Sequence, residues 1–119
     1  MPLKSRLFQG DVKLEACLVK DAAHIVLGSS GDHVAKIQTA VSRLEGYSIN
    51  FSEIQQMLYG TSTAKAILDY KVKRNIINRS YQTKADNIVG KMTIESLDKE
   101  IAMLERQVHH KTKGLLSAT

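Results

Sequence analysis

The sequence predicts a mainly α fold, a compact three-helix bundle with a small N-terminal β-hairpin. Three observations predict it. A Gly-x-x-Thr bend followed by an apolar helix occurs twice: Gly60-Thr61-Ser62-Thr63 precedes Ala66, Ile67 and Tyr70, and Gly90-Lys91-Met92-Thr93 precedes Ile94, Leu97 and Ile101. A third apolar stripe, Val34, Ile37, Val41 and Leu44, recurs at helical spacing upstream of both. Near the N-terminus, Val12, Leu14, Ala16 and Leu18 alternate with polar residues, the period of a half-buried strand.

In chain order, the strand over 12–19 turns at 20–23, and His24-Ile25-Val26-Leu27 pairs back on it. A lone hairpin is marginal in water, so it must lie on the helices. Gly28-Ser29-Ser30-Gly31 breaks the chain, Ser30 or Asp32 can cap the first helix, and Gly46 ends it. Residues 47–51 read as extended with Ile49 inward. Residues 52–58 read as a short helical turn capped by Ser52, with Ile54 and Leu58 on one side. At each bend the glycine is free to take φ > 0, and the threonine hydroxyl can accept from the first-turn N–H groups. The helix over 63–74 turns Ala66, Ile67 and Tyr70 inward and Lys65, Asp69, Lys73 and Arg74 to solvent.

The connection over 76–87 is the longest irregular one. Ile76 and Ile77 anchor it, and polar groups fill it from Asn78 to Lys84. Loops on a rigid scaffold are where small domains carry binding groups. The last helix, 94–107, has a heptad-like seam of Ile94, Leu97, Ile101, Leu104 and Val108. Met103 lies off that seam, and Glu95 and Lys99 form an i, i+4 pair. Residues 109–119 read as a flexible tail. The chain thus divides into a hairpin extension (1–27), a three-helix domain (28–108) and the tail.

A chain of 119 residues can bury a modest core without disulfides or metal. With 5% aromatics and no Trp, aliphatic side chains must fill it. The single Cys17 excludes an intramolecular disulfide and has no activating neighbours. No apolar run reaches the ~18 residues of a membrane span, and the first ten residues lack the apolar core of a secretory signal. The expected location is the cytoplasm, or the cell envelope reached by a non-classical route such as phage lysis or an injection system. The net charge of +5 favours anionic partners, but acidic residues are mixed among the basic ones.

Catalytic patterns are absent. Glu53, Asp69 and Asp86 fall on a turn, an exposed face and a loop, without the pairing glycoside hydrolysis needs. His109 and His110 are adjacent and cannot chelate as an i, i+4 pair can. His24 and His33 have no partners at metal-ligand spacing. No serine sits in a nucleophile elbow, and the glycines are too dispersed for a phosphate loop. The expectation is a non-enzymatic protein with no catalytic residues, no metal and no cofactor.

Three blocks occur together and in order over 28–104: Val34-x-x-Ile37-Gln38-x-x-Val41-x-x-Leu44, Tyr59-Gly60-x-x-Thr63-x-x-Ala66-Ile67-x-x-Tyr70-Lys71, and Asp86-Asn87-x-Val89-Gly90-x-x-Thr93-x-x-x-Leu97-Asp98. Together they resemble the pattern of the peptidoglycan-binding-like domain family. Gln56-Met57 stands where that pattern has Asp-Gly, and Lys71 stands in place of its glutamine. The polar loop at 79–84 and the N-terminal extension are atypical.

The resemblance implies a non-catalytic three-helix binding module, of a kind found beside cell-wall hydrolases. Its ligand would be peptidoglycan (stem peptide or glycan) or another cell-wall polymer. A separate hydrolase or a secretion-system protein would be a partner. Most matched positions are structural: Gly60, Thr63, Gly90 and Thr93 set turns and caps, and Gln38 reads as a buried amide bonded to a loop backbone. Candidate ligand contacts are the polar groups beside the bends: Tyr59, Tyr81, Gln82, Asp86, Asn87 and Lys91.

Two other classes compete. A basic nucleic-acid-binding protein would turn Lys65, Lys71, Lys73, Arg74 and Arg79 to phosphates. The long link between the last two helices disfavours a helix-turn-helix. An adaptor of a phage or secretion system would dock through its hairpin edge or C-terminal tail.

Overall fold

The computed structural model describes residues 2–77 and 85–118, except for the side chains of residues 21 and 108–118. Among the described residues the chain is mainly helical, with α1 (Val12–Ala16), α2 (Asp32–Glu45), α3 (Phe51–Gln56), α4 (Thr61–Arg74) and α5 (Lys91–Ala118), and a 3-10 turn at Asp21–Ala23. α2 packs on both α4 and α5. The three apolar stripes meet: Val34, Ile37 and Val41 of α2, Ala66, Ile67 and Tyr70 of α4, and Ile94, Leu97 and Ile101 of α5 are buried together.

One segment of backbone, turned at Leu27-Gly28, joins the two bends. Ile25 and Val89 exchange N–H···O bonds of 3.0 and 2.9 Å just before the second bend. A few residues on, Gly28 N donates to Tyr59 O at 2.9 Å, Tyr59 N to Ser29 O at 2.7 Å, and Gly31 N to Met57 O at 3.0 Å. Ser30 and Leu58 form the second isolated bridge. Residues 25–31 therefore fix both helix entries against one strip of backbone.

The expected N-terminal hairpin is not present. Asp11 accepts from Lys13 N and Leu14 N at 3.1 Å each and so caps α1. Leu14 and Cys17 face the core while Val12 stays 81% exposed. Leu14, Cys17 and Leu18 satisfy the helical i, i+3, i+4 spacing as well as part of the alternation, and the cap decides between the two. Ile25 pairs with Val89 instead of with the 12–18 segment.

The N-terminal segment is strapped to α5 by carboxylates that accept from its backbone. Asp98 takes Lys4 N and Ser5 N at 2.8–3.2 Å, and Glu105 takes Arg6 N and Leu7 N at 2.8 and 3.1 Å. Leu3 and Phe8 are buried beneath that strap. The backbone of α5 stays helical over 109–118, where the sequence predicts a tail. No ion pair joins Glu95 to Lys99 among the described residues.

Cys17 is a packing thiol. Its Sγ donates to Lys13 O and Ala23 O at 3.4 and 3.2 Å, and burial, aided by the charge of Asp11, pushes the thiol up to about 11. The native protein should therefore react with iodoacetamide at pH 7.5 roughly 100-fold more slowly than the urea-unfolded chain. A stopped-time mass-spectrometric assay measures both rates, and equal rates would contradict the buried placement.

Candidate functional site

The first bend is built around a buried acid. Glu53, on α3 and 5% exposed, accepts from Ser62 N at 3.0 Å, Thr63 N at 2.9 Å and the Thr63 hydroxyl at 2.7 Å. Gln38 Nε2 donates to Leu58 O at 3.0 Å and to Thr63 Oγ1 at 3.1 Å, the buried amide on a loop backbone that the sequence predicts. Protons thus run in one direction, from Gln38 to Thr63 to Glu53. Burial raises the Glu53 carboxyl, but the donors of Ser62 and Thr63 outweigh it and bring the group down to about 2.

Both the glycine and the threonine serve other ends than expected. Gly60 is the N-cap of α4 with φ −94, so no left-handed turn requires it. A Cβ there would lie 2.5 Å from Glu53 Cδ; glycine is needed for close approach. Thr63 donates its hydroxyl to Glu53 instead of accepting from a first-turn N–H, and the capping acceptor comes from the preceding helix. Met57 ends α3 in the left-handed region at φ 51.

At the second bend a Cβ on Gly90 would meet the His24 ring at 3.1–3.3 Å, and again φ is not positive. Tyr59 is fully buried, and its hydroxyl donates to Asn87 O at 2.5 Å. It is therefore a core strut between the bends and presents no surface to a ligand. Burial, then the charge of Asp86, holds its phenol well above the usual range.

Lys71 is buried and reaches the loop. Its Nζ donates to Asp86 Oδ1 at 2.6 Å and Ile88 O at 2.8 Å. Asp86 also accepts from Ile88 N at 3.1 Å, so this half-buried carboxylate organises the loop first. Asn87 and Lys91 are exposed. Tyr81 and Gln82 lie outside the described residues.

Between α4 and α5 runs a second polar cluster. Arg74 makes two 2.6 Å bonds to Glu100, pairs with Glu45, and stacks 4.0 Å from the centre of the Tyr70 ring. Tyr70 donates to Glu100 at 2.6 Å and shares a 2.7 Å bond with Ser96. The Arg74 contact holds Glu100 below the usual carboxylate range. Lys73 pairs with Glu45 at 3.2 Å. Three of the cations nominated for phosphate contact, Lys71, Lys73 and Arg74, are thus matched by carboxylates, and Arg74 is not the solvated side chain its spacing predicts. Arg79 lies outside the described residues.

One surface escapes the motif reading altogether. α3 buries Glu53 and turns Phe51 (73% exposed), Ile54 (41%) and Met57 (36%) outward. The sequence signal was available: between Glu45 and Lys65 the only charged residue is Glu53. An open groove of about 810 Å³ also runs between the N-terminal strap and α5, past Leu3, Arg6, Leu18 and Arg106.

Among the described residues no group of three or more His, Cys, Asp or Glu is placed to hold a metal ion, and no helix is long and apolar enough to cross a membrane. Comparisons with protein-family models, with curated proteins and with solved structures found no match.

Proposed function

We propose that this chain is a non-catalytic binding module for a cell-wall polymer, peptidoglycan in the first instance, built as a peptidoglycan-binding-like three-helix unit. The observation that carries the reading is the strip of backbone at 25–31, which holds both Gly-x-x-Thr bends and closes the three motif blocks over one interior. Beside the second bend it leaves Asn87 and Lys91 exposed, an amide and an ammonium suited to the acyl and carboxylate groups of a wall polymer.

Glu53, Asp98 and Glu105 are committed to peptide N–H groups, and Glu45 and Glu100 to Arg74. Cleavage, where it accompanies binding, would come from a separate hydrolase. The paired state of Lys71, Lys73 and Arg74 weighs against nucleic acid as the ligand, because neutralised cations release few counterions.

Co-sedimentation with purified peptidoglycan at physiological salt tests the reading. The wild-type chain should pellet with the polymer. The Asn87→Ala, Lys91→Ala double variant, altered only at exposed side chains, should bind roughly tenfold more weakly, the loss expected for two hydrogen bonds of modest net strength. A wild-type chain that stays in the supernatant would overturn the proposal. Salt-sensitive retention on DNA would point to the nucleic-acid class instead.

A further inference from the structure

α3 is inverted for a surface helix. Its one buried side chain is a carboxylate, and its apolar side chains Phe51 and Ile54 face solvent, with Met57 at its C-cap. Surface helices normally do the opposite, and a cluster of exposed apolar groups marks an interaction site. The surroundings narrow the kind of partner. Asn50, Ser52, Gln55, Gln56 and Thr61 are exposed around the ring, while Glu53, the sole charge between Glu45 and Lys65, is turned inward onto Ser62 and Thr63.

In a chain that is 24% charged with a net +5, α3 and its flanks therefore offer hydroxyls, amides and an aromatic ring while their one charged side chain is buried. Asn50 N donates to Ser62 Oγ at 2.9 Å, which pins the start of α3 against the first turn of α4 and sets Phe51 on a rigid corner. A charged peptide or an acidic surface finds no counter-charge on these residues. A neutral sugar fits: the C–H face of a pyranose lies on an aromatic ring, and its hydroxyl and acetamido groups take up directional bonds from flanking amides.

We propose that the outer face of α3, centred on Phe51, is a saccharide subsite for a neutral, N-acetylated amino-sugar strand. The inference rests on the wall-polymer reading above and assigns the glycan, in preference to the stem peptide, to this face.

The probe is a tetramer of N-acetylglucosamine, which has the acetamido sugar but neither lactyl group nor peptide. It is titrated against the full ¹⁵N-labelled chain, with a parallel titration of free stem peptide. The tetramer should shift amide signals at 50–57 with a dissociation constant of roughly 1 mM, the scale for a single open stacking site. Phe51→Ala should weaken binding at least tenfold, and Phe51→Trp should retain it. Because Phe51 is largely exposed, the alanine variant keeps the fold, which its remaining amide signals verify.

Two results would overturn this inference alone. In one, intact peptidoglycan pellets Phe51→Ala as well as wild type while the tetramer moves nothing at 50–57; the saccharide subsite then fails and the wall-binding reading stands. In the other, a dimer that depends on concentration is abolished by Phe51→Ala, making the face a self-association surface. If neither polymer nor tetramer binds, both readings fail together.

Discussion

Replacing Glu53 with alanine should lower the unfolding free energy by about 3–4 kcal/mol, read as the shift in urea midpoint at an unchanged slope. The side chain is 5% exposed and accepts three hydrogen bonds, two of them from backbone N–H groups in the first turn of α4. An N-cap side chain is usually worth about 1 kcal/mol. Here the acceptor is ionised and buried, and Thr63 would be left with a hydroxyl and an N–H facing an apolar void, which raises the loss.

The same carboxylate predicts a pH dependence whose sign follows from its titration. Its folded-state value is depressed from 4.5 to about 2. The stabilisation is therefore whole above the unfolded value and is lost as pH falls through the window from about 4.5 to about 2. The difference amounts to about 3 kcal/mol. Asp11, Glu45 and Glu100 are depressed as well, so the wild-type acid limb alone does not isolate Glu53. The gap between wild type and Glu53→Gln does: it should be widest near neutral pH and close towards the acid end. A gap independent of pH would show that the carboxylate's charge contributes nothing.

The helical architecture was legible because three stripes at a 3.6-residue period each had to bury against something, and the nearest apolar surfaces were one another. The two bends were legible as a pattern, but their cause was not. A glycine before a helix suggests a left-handed turn, yet Gly60 has φ −94 and Gly90 is not in the positive region either. What excludes a side chain at Gly60 is Glu53, whereas at Gly90 the His24 ring only crowds one. Such contacts are set by tertiary approach and leave no local signature.

Residues 12–18 show a different failure. Over so short a span the periods of strand and helix overlap, and the deciding term was the Asp11 cap. At the candidate site, Asn87 and Lys91 are exposed. Tyr59 is not, because a tyrosine beside a bend reads alike whether it packs inward or outward. The Lys71–Asp86 pair was hidden because it depends on where Asp86 comes to rest against α4. The run between Glu45 and Lys65, with Glu53 as its one charge, was in plain view, but its meaning depends on knowing that Glu53 points inward.

Gly60→Ala should cost about 3 kcal/mol, well above Gly90→Ala at about 1 kcal/mol, in the same urea titration. Alanine has no quarrel with the local backbone: φ −94 and ψ −169 lie in the extended region. The new Cβ, however, would sit 2.5 Å from Glu53 Cδ and 2.8 Å from both Cγ and Oε1. That carboxyl is held on three donors, so it either leaves them or drags the turn between α3 and α4 with it. The His24 ring near Gly90 stands 3.1–3.3 Å away and needs to give only by a few tenths of an ångström. The decisive measurement is the double variant. With Glu53 already alanine, the clash is gone and Gly60→Ala should cost less than ~1 kcal/mol, a coupling of about 2 kcal/mol between the two positions. Strict additivity would mean that Gly60 is required for some other reason. The buried carboxylate would then not be what makes glycine necessary at this bend.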